Sequence, residues 1–449
     1  MLQSESWLVG LLFAATVAGI LWRPRGIHEA WVAGAGAALM LLLGAVSPAA
    51  AAAVLRETAP VLAFLAGVLV VAAVAERAGV FTWAALWTAR LAGSSLRRLF
   101  VASYLLGSAV TILFSLDTTA VVLAPVVFRL VQQAGADPVP FAFLSVYVAN
   151  VTSLLLPVSN LTNLLVQARY ELPFWEFARV MALPALLAGA VNLGLLYAVF
   201  RRRLQGRLDT QALEVQVRAL SRSPFLRWSL GISAGTILGF GVAGWVGVPL
   251  WPVAVAGGIA SAVLALRRRE VMPSFFVRGV AWAVIPFVVG LFVVIEGFRT
   301  SGAGRDLVAA ALTPRAAAET LSGPSASRPT DPWATLESLG RFVALTALGS
   351  NLVNNIPMTL LGMGALEAQA AIDAGGEGAL GGLAPYALLL GVNTGPLLTV
   401  VGSLATILSL TLLRQRGVEV GGWQYLRMGL LVMPPTLAAA TLGLMLQLR

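Results

Sequence analysis

The chain lacks two residue types on which many functional sites depend. Its 449 residues include no cysteine, and all 30 of its lysine and arginine residues are arginine. Without cysteine the protein has no disulfide, no thiolate metal site and no thiol nucleophile. Without lysine the phosphate-binding motif G-x-x-x-x-G-K cannot occur, so any coupling to ATP would need another protein. No cofactor is expected, and the absence of a His cluster or a nucleophile motif disfavours an enzyme.

Charged residues are also scarce. They make up 11% of the chain, whereas soluble domains carry about a quarter. Hydrophobic residues make up 58%, and the mean hydropathy is +0.86. Apolar runs of about twenty residues recur, each long enough to cross a bilayer. Because the runs are continuous rather than alternating, the sequence predicts an all-α polytopic protein of the cell membrane (plasma or inner), embedded in the lipid bilayer.

The formal net charge of +10 does not indicate a nucleic-acid partner. The arginines stand between apolar runs, a pattern that reports the orientation of membrane spans. The most charged segment, residues 201–227, holds seven arginines against Asp209 and Glu214. We interpret this segment as a cytoplasmic linker between a first half, residues 1–200, and a second half, residues 228–449.

Each half is predicted to contain about five transmembrane spans, one re-entrant hairpin and one broken helix. Paired apolar arms that are each short for a crossing indicate the hairpins, and polar islands inside apolar runs indicate the broken helices. The predicted hairpins cover residues 99–132 and 339–370, and the broken helices cover residues 141–168 and 385–413. The third span is predicted over residues 58–75, an interfacial segment over 81–96, a loop over 301–332 and a glycine-rich turn over 375–382.

Five motifs of the first half recur in the same order in the second half. Five pairs in register argue for an internal duplication, and an odd number of spans in each half inverts the second copy. Inverted repeats with broken helices near the bilayer midplane are typical of secondary transporters, whose site lies at the repeat interface. The paired positions are Trp31 with Trp251, Phe64 with Phe287, Asp117 with Asn355, Ser159 with Gly402, and Trp175 with Trp423.

Asp117, in the apolar run FSLDTTAVVLAP, is the candidate group for coupling to protons or to another cation. An ionised carboxylate at membrane depth is costly unless it is paired, hydrated or functional. The alternative is a structural carboxylate that caps a half-helix, where the helix dipole favours negative charge. In the second hairpin Asn354 and Asn355 stand at the matching turn, and they suit a site role and a helix-capping role equally well.

The predicted substrate-binding residues are hydroxyl and amide side chains next to the hairpin turns and the helix breaks. Unwound backbone at membrane depth is tolerated only where protein covers it or where it lines a cavity. Glu296, three residues before Arg299, is instead interpreted as a structural ion pair. The predicted substrate-binding set is Thr118, Thr119, Ser159, Asn160, Thr162, Asn163, Asn351, Asn354, Asn355, Ser403 and Thr406.

At these residues the sequence resembles a known family. The segments SLDTTAVVLAP, LPVSNLTNLL, NLVNNIPMTL and GVNTGPLLTVVGSLATIL are similar to motifs of the arsenical efflux permease family, ArsB type, in the ion transporter superfamily. The resemblance implies a secondary active transporter that exports arsenite and antimonite, as neutral trivalent hydroxides, in exchange for protons. It implies that Asp117 is the proton-linked carboxylate and that the polar segments line the substrate site. It also implies a soluble arsenical-pump ATPase subunit as an optional partner, and it leaves the oligomeric state open.

The substrate chemistry is compatible with these residues. As(OH)₃ is uncharged near neutral pH and offers its hydroxyls to Asn, Ser and Thr side chains. Recognition must rest on hydrogen bonds, because a chain without cysteine cannot hold arsenic through thiolates. The alternative function is an Na⁺/H⁺ antiporter, or another ion-coupled transporter, of the same superfamily. The lack of arginine in the motifs weakens an anionic carboxylate substrate, and the inverted repeat disfavours a passive channel.

Overall fold

The computed structural model of the protein describes residues 2–22, 27–133, 135–206, 210–301, 332–372 and 381–448. These residues form helices and connecting turns, and no strand occurs among them. The α-helices in chain order are α1 (Leu2–Trp22), α2 (Glu29–Leu42), α3 (Pro48–Arg77), α4 (Val80–Ala92), α5 (Leu96–Leu113), α6 (Leu116–Thr118), α7 (Ala124–Gln133), α8 (Val139–Thr152), α9 (Leu161–Arg169), α10 (Phe174–Phe200), α11 (Thr210–Ser221), α12 (Pro224–Val246), α13 (Trp251–Arg267), α14 (Pro273–Arg278), α15 (Val284–Thr300), α16 (Pro332–Val353), α17 (Asn355–Ile372), α18 (Ala384–Thr394), α19 (Leu404–Arg414) and α20 (Gly422–Met445).

Short turns of other helical types interrupt or end these helices. A π-helical turn, Thr119–Leu123, joins α6 to α7. The 3₁₀ turns are Pro157–Ser159, Gly381–Leu383, Gly395–Leu397, Val400–Gly402 and Leu446–Leu448. The predicted loop over 301–332 and the glycine-rich turn over 375–382 lie, except at their ends, outside the described residues.

The helices confirm the predicted class of multi-pass α-helical membrane protein. By length and composition, α3, α5, α10, α12 and α20 are long and apolar enough to cross a membrane. Shorter apolar stretches lie in the remaining long helices, including the whole of α2, α8 and α13. Helix α3 begins at Pro48, well before the predicted start of the third span, because the alanine-rich stretch before Arg56 favours helix strongly enough to extend it.

Contacts divide the chain into two compact units, and both units draw on both predicted halves. The boundaries predicted for the repeat therefore do not separate compact units, and the repeat stays a prediction. The first unit comprises Met1–Ala59, Ala283–Pro396 and Leu444–Arg449, and the second comprises Pro60–Trp282 and Leu397–Gly443.

The first unit is built on two groups of helices. Helix α2 packs along α15, with α1 against both. Helices α16, α17 and α18 pack on one another, and α16 and α17 form a hairpin that turns at Asn354. The rings of Phe13 and Phe298 stack at 4.2 Å between centroids, which fixes α1 on α15.

The second unit is built around α8. Every residue from Pro140 to Thr152 of this helix is buried, because it packs against α5 and α10. A helix buried on all sides, polar residues included, lies in the interior of the unit. Helix α12 pairs with α13 in the same unit, and α4 lies against α5.

Equivalent glycines allow close helix contacts in both units. At Gly67 of α3 a Cβ atom would lie 2.3 Å from the carbonyl carbon of Ala254 in α13. At Gly290 of α15 a Cβ atom would lie 2.7 Å from the carbonyl carbon of Ala33 in α2. These glycines belong to the paired F-x-x-G motifs, and each packs on a helix of the opposite half. Such an exchange of equivalent partners is what an internal two-fold repeat produces.

A second pair of contacts repeats in the same way. At Gly36 a Cβ atom would lie 2.5 Å from Thr16 Oγ1, and at Gly257 it would lie 2.3 Å from Thr236 Oγ1. Each threonine donates its hydroxyl hydrogen bond to the carbonyl four residues earlier, at 2.8 Å in both cases. The same kind of Thr–Gly contact therefore joins α1 to α2 in the first unit and α12 to α13 in the second unit.

The charged segment between the halves is folded rather than extended. Helix α11 occupies its second part, and α12 already begins at Pro224, inside the predicted linker. Helix α11 packs on α4, where Glu214 pairs with Arg90 at 3.2 Å and Trp83 Nε1 donates to Ser221 Oγ at 2.9 Å. The predicted interfacial segment is thus α4, which buries one face against α5 and α11.

We expect Gly67→Ala to lower the free energy of unfolding by about 1–3 kcal/mol, because its methyl group would overlap the α13 backbone. The matched control is Gly194→Ala in α10, where a Cβ atom meets nothing within 4 Å. There the gain in helix propensity should leave stability unchanged or raise it by up to about 1 kcal/mol. Thermal unfolding of the detergent-solubilised protein, followed by tryptophan fluorescence, measures both. Equal melting temperatures for the two variants would contradict the close α3–α13 packing.

Candidate functional site

The first hairpin turns at Phe114 and Ser115, between α5 and α6. Ser115 is the N-cap of α6, and its Oγ accepts a hydrogen bond from the Thr118 backbone N–H at 3.1 Å. Asp117 lies two residues further on, in the first turn of the helix, rather than at the turn itself as predicted. Ser115 therefore supplies the helix cap, so capping does not explain the presence of a carboxylate at residue 117.

The Asp117 carboxylate has no protein partner in the part of the chain that the structure describes: no hydrogen bond or salt bridge reaches it. The side chain is half-buried. Its neighbour Leu116 is buried in an apolar cluster with Ala120, Ala149 of α8 and Ala405 of α19. Leu116 thus fixes this helical turn in the second unit, while the Asp117 carboxylate remains available to a proton or a ligand.

The two threonines after Asp117 already have hydrogen-bond partners within the hairpin. The Thr118 and Ser115 hydroxyl oxygens lie 2.9 Å apart. Thr119 Oγ1 accepts from Thr111 Oγ1 at 2.8 Å and donates to the Gly107 carbonyl at 3.4 Å. Thr119 therefore connects the π-helical turn to α5, and of the two threonines Thr118 is the better placed to serve a ligand.

The first helix break lies between α8 and α9. Asn160 caps α9 by accepting from the Thr162 backbone N–H at 3.3 Å. Asn163 Nδ2 donates to the carbonyls of Ser153 and Leu156, at 2.7 and 2.9 Å, so one amide satisfies two carbonyls that the break sets free. Thr162 and Asn163, which were predicted to stand next to the break, belong to the first turn of α9.

The break is also attached to the first hairpin. Ser159 Oγ donates to the carbonyl of Ile112, near the end of α5, at 3.1 Å. Ser159 is completely buried, and the 3₁₀ turn that carries it packs against both α5 and α9. The polar residues of the break therefore adjoin the segment that leads into the Asp117 turn.

The second helix break runs from the end of α18 to the start of α19. The predicted broken helix over residues 385–413 is present as α18 and α19, with the interruption between them. Ser403 precedes α19, and Thr406 lies in its first turn rather than in the break. In the second unit, Thr406 Oγ1 accepts from Asn150 Nδ2 at 3.2 Å, which joins α19 to α8.

The asparagines of the second hairpin lie in the first unit. Asn354 has a left-handed backbone (φ 76°), a conformation that asparagine tolerates better than most residues, and its Oδ1 accepts a long hydrogen bond from the Ile356 N–H at 3.5 Å. Asn351 Nδ2 donates to the carbonyls of Ala347 and Gly395, at 2.8 and 2.9 Å. Asn355 is buried, and its carbonyl accepts from Thr359 Oγ1 at 2.7 Å.

The two hairpin turns offer another way to pair the predicted halves, one residue away from the predicted pairing. Ser115 and Asn354 each follow a helix, precede a helix and accept a hydrogen bond from a backbone N–H two or three residues later. When these two residues are matched, Asp117 corresponds to Ile356 rather than to Asn355. The second hairpin thus carries an apolar residue where the first carries the carboxylate.

The structure gathers most of the predicted site residues in the second unit. The hairpin segment with Asp117, the first break and the start of α19 are linked there by the contacts described above. The three asparagines of the second hairpin, Asn351, Asn354 and Asn355, belong to the first unit. Among the described residues, no group of three or more acidic or histidine side chains is placed to hold a metal ion.

Asn150 is a candidate that the sequence analysis missed. The residue is 1% exposed, and within the described chain its Oδ1 has no hydrogen-bond partner although its Nδ2 donates to Val146 and Thr406. Buried polar atoms are normally satisfied, so an unpartnered acceptor next to the second break suggests a ligand. Ser153, also missed, receives a long hydrogen bond from Asn160 Nδ2 at 3.4 Å. The available signal was the polar sequence N-V-T-S inside an otherwise apolar helix.

The ion pair predicted between Glu296 and Arg299 is present in the first unit. The two side chains are in contact at 2.9 Å, and Arg299 also binds Glu367 of α17 at 3.2 Å. Helix α17 is thereby fixed to α15, and the second carboxylate could not be identified from sequence spacing. Both carboxylates are therefore engaged by the Arg299 guanidinium group.

A cavity of about 620 Å³ in the second unit lies away from the Asp117 turn. It is largely apolar and is lined by α3, by the outer part of α9 and by the connection between α12 and α13, with Phe64, Leu164 and Trp251 among its walls. We therefore assign the candidate site to the polar helix breaks rather than to this cavity.

The known proteins to which this chain is similar include transporters and membrane proteins of a pump. The family model described as "Citrate transporter" (CitMHS) matches residues 17–392. The arsenical pump membrane protein of Escherichia coli (strain K12) is 29% identical over 445 residues, which cover 98% of this chain and 99% of that protein. The protein of the same name from Yersinia enterocolitica is 29% identical over 444 residues, again 98% of this chain and 99% of that protein. An uncharacterized transporter of Mycobacterium tuberculosis is 26% identical over 396 residues, 86% of each chain.

Among solved structures, the Alcanivorax borkumensis YdaH transporter has a similar fold. The TM-score is 0.54 at 16% sequence identity, and the match covers 89% of this chain and 87% of that chain. At this identity the likeness supports the fold alone.

The long apolar helices, the family model and the similarity to membrane transport proteins along almost the whole chain define a multi-pass membrane transporter. The chain belongs to the citrate transporter (CitMHS) family of the ion transporter superfamily. The resemblance to the arsenical efflux permeases is confirmed by similarity along almost the whole chain.

We expect Asn163→Leu to destabilise the protein, because it leaves the buried carbonyls of Ser153 and Leu156 without a donor, at a cost of about 1–3 kcal/mol each. The matched control is Gln167→Leu, one turn further along α9, which loses a single half-buried hydrogen bond to the Leu172 carbonyl. Melting temperatures in detergent distinguish the two. An Asn163→Leu protein as stable as the control would show that Asn163 is not the structural support of the break.

Proposed function

We propose that this protein exports trivalent arsenic and antimony hydroxides in exchange for protons. The observation that carries the proposal is the Asp117 carboxylate. It stands on an apolar hairpin, has no partner among the described residues, and adjoins polar helix breaks in the same unit. Similarity to arsenical pump membrane proteins over 98% of the chain supports the substrate class.

The two protonation states of Asp117 provide the exchange. An ionised carboxylate only accepts hydrogen bonds, whereas a protonated one also donates. As(OH)₃ offers hydroxyl donors, and hydrogen bonds from such donors to an ionised acceptor are the stronger kind. Substrate therefore binds the ionised form, and the proton binds when substrate is absent. One site that holds either a proton or the neutral hydroxide exchanges the two across the membrane.

The remaining polar groups support a neutral substrate better than an anion. Residues 114–119, 153–163 and 400–406 contain no arginine or histidine. A tricarboxylate would need cationic partners at this site, so the family description does not extend to citrate for this chain. The neutral groups that remain for As(OH)₃ are Thr118, Ser403 and the Oδ1 atom of Asn150.

Sodium is a weaker candidate for the coupling ion. Sodium sites in broken helices use carbonyls that the break sets free. At the first break the carbonyls of Ser153 and Leu156 already accept hydrogen bonds from Asn163. This arrangement favours proton exchange over the Na⁺/H⁺ antiporter.

The wider architecture fits the proposal. The exchanged Gly67–Ala254 and Gly290–Ala33 contacts support two inverted repeats. A soluble arsenical-pump ATPase subunit is compatible as a partner, because ATP coupling would have to come from a chain that contains the lysine-dependent phosphate motif. Transport by the chain alone requires only the proton gradient.

We expect Asp117→Asn to abolish arsenite uptake by inverted membrane vesicles with an acidic lumen, because an amide cannot exchange a proton. The matched control is Asp137→Asn, which alters a surface carboxylate paired with Arg203 at 2.6 Å and should keep uptake near the wild-type rate. Size-exclusion profiles check that both variants are folded. Proton-driven uptake by Asp117→Asn would remove Asp117 from the mechanism, and sodium-dependent proton movement without arsenite uptake would overturn the substrate assignment.

We expect Asn150→Leu to raise the arsenite concentration for half-maximal uptake by up to about tenfold, the effect of losing one or two modest hydrogen bonds. The matched control is Asn192→Leu. Asn192 is also fully buried and also has one unpartnered amide atom within the described chain, Nδ2, but its acceptor Oδ1 is satisfied by Tyr104 between α5 and α10. The control should leave the half-maximal concentration unchanged. An unchanged value for Asn150→Leu would exclude the Asn150 amide from substrate binding.

A further inference from the structure

A groove in the second unit combines a basic end with an apolar wall. It has a volume of about 350 Å³ and lies where α4, α5 and α10 meet. Its lining includes Arg97 and Arg98 at the start of α5, Val101 and Leu105 further along the same helix, and Tyr197 of α10. None of these residues belongs to the candidate transport site.

The groove is basic at the start of α5 and apolar further along the helix. Residues 97, 101 and 105 recur every four positions and therefore share one face of the helix. At a rise of about 1.5 Å per residue, the arginines and Leu105 are separated by about 12 Å. Leu105 is 60% exposed, and Leu91 of α4, at the other wall, is 75% exposed. A ligand of this groove must therefore present a charged end and an apolar end about 12 Å apart.

No carboxylate of the described chain neutralises the two arginines of the groove, whereas three other arginines of the same unit are paired. Arg90 and Arg218 both pair with Glu214, at 3.2 and 3.0 Å, and Arg203 pairs with Asp137 at 2.6 Å. Within the described chain no carboxylate comes within salt-bridge distance of Arg97 or Arg98, and both are exposed. Two adjacent positive charges at the end of an apolar groove complement an anionic headgroup.

We propose that this groove binds one anionic phospholipid, with its phosphate on Arg97 and Arg98 and an acyl chain along Val101 and Leu105. Basic pockets between membrane helices on the arginine-rich side recognise such headgroups. A soluble phosphate would need no apolar wall, and a neutral lipid would need no arginine pair. Tyr197, which lines the groove, adds a hydroxyl that can donate to the headgroup.

Native mass spectrometry of the purified full chain in detergent tests this proposal. The probes are phosphatidylglycerol and phosphatidylcholine with identical acyl chains, each at the same concentration. We expect wild type to retain phosphatidylglycerol at least about tenfold more than phosphatidylcholine, since each arginine contributes about 1 kcal/mol at a membrane surface. Equal retention of the two lipids would overturn the proposal.

Two variants and one control locate the site. Arg97→Gln with Arg98→Gln should reduce the retention of phosphatidylglycerol by about tenfold or more. Ala102→Trp, which fills the groove without changing any charge, should do the same. The control, Arg267→Gln with Arg268→Gln, removes two adjacent arginines from the end of α13 and should retain the lipid as wild type does. Retention unchanged in the first two variants, or lost equally in the control, would show that the groove is not the site.

A competition experiment distinguishes the lipid from its headgroup. Inorganic phosphate at millimolar concentration should leave the bound phosphatidylglycerol in place, because phosphate lacks the chain that occupies the apolar wall. Complete displacement by phosphate would show that the groove is an anion site, and the lipid assignment would then be wrong.

Discussion

The cost of placing a polar group in an apolar surrounding governs this structure. Asp117 is the clearest case, because its hairpin provides no hydrogen bond or ion pair to its carboxylate among the described residues. The residues around the carboxylate all have partners within the protein. Ser115 caps helix α6, Leu116 holds α6 in an apolar cluster, and Thr119 connects the hairpin to α5. The protein thus satisfies the backbone around Asp117 without engaging the carboxylate. That separation makes the carboxylate available for exchange.

At the helix interruptions, asparagine side chains donate hydrogen bonds to backbone carbonyls that would otherwise be unsatisfied. Asn163 satisfies two carbonyls at the first break, and Asn351 satisfies two in the second hairpin. Interrupted helices within a membrane need such internal donors, since no water is available to supply them. Several polar residues that first suggest substrate ligands are therefore structural. Among the residues near the Asp117 turn and the start of α19, the Oδ1 atom of Asn150 keeps free bonding capacity, and the proposed exchange uses it together with the Asp117 carboxylate.

The sequence predicted the helical membrane class, both hairpins, both broken helices and the isolated carboxylate, because long apolar runs and polar islands are local signals. It could not predict which polar residues have partners. Asn163 and Asn150 are the same residue type in similar sequence surroundings. Only the path of the backbone decides that the Asn163 amide nitrogen finds its partners and that the Asn150 Oδ1 atom does not. Helix α11 was missed because its two buried residues, Leu213 and Val217, are a sparse apolar pattern inside a charged segment. The inverted repeat stays a prediction, and matching its turns by their helix caps pairs Asp117 with Ile356 rather than with Asn355.

The central claim is that one carboxylate holds either a proton or the neutral hydroxide. The most direct measurement is the number of protons released when arsenite binds the purified protein, obtained by calorimetric titration in buffers of different ionisation enthalpy. We expect proton release when arsenite binds wild type at a pH where Asp117 is partly protonated, and no release with Asp117→Asn. Arsenite binding to wild type with no proton exchange at any pH would contradict it.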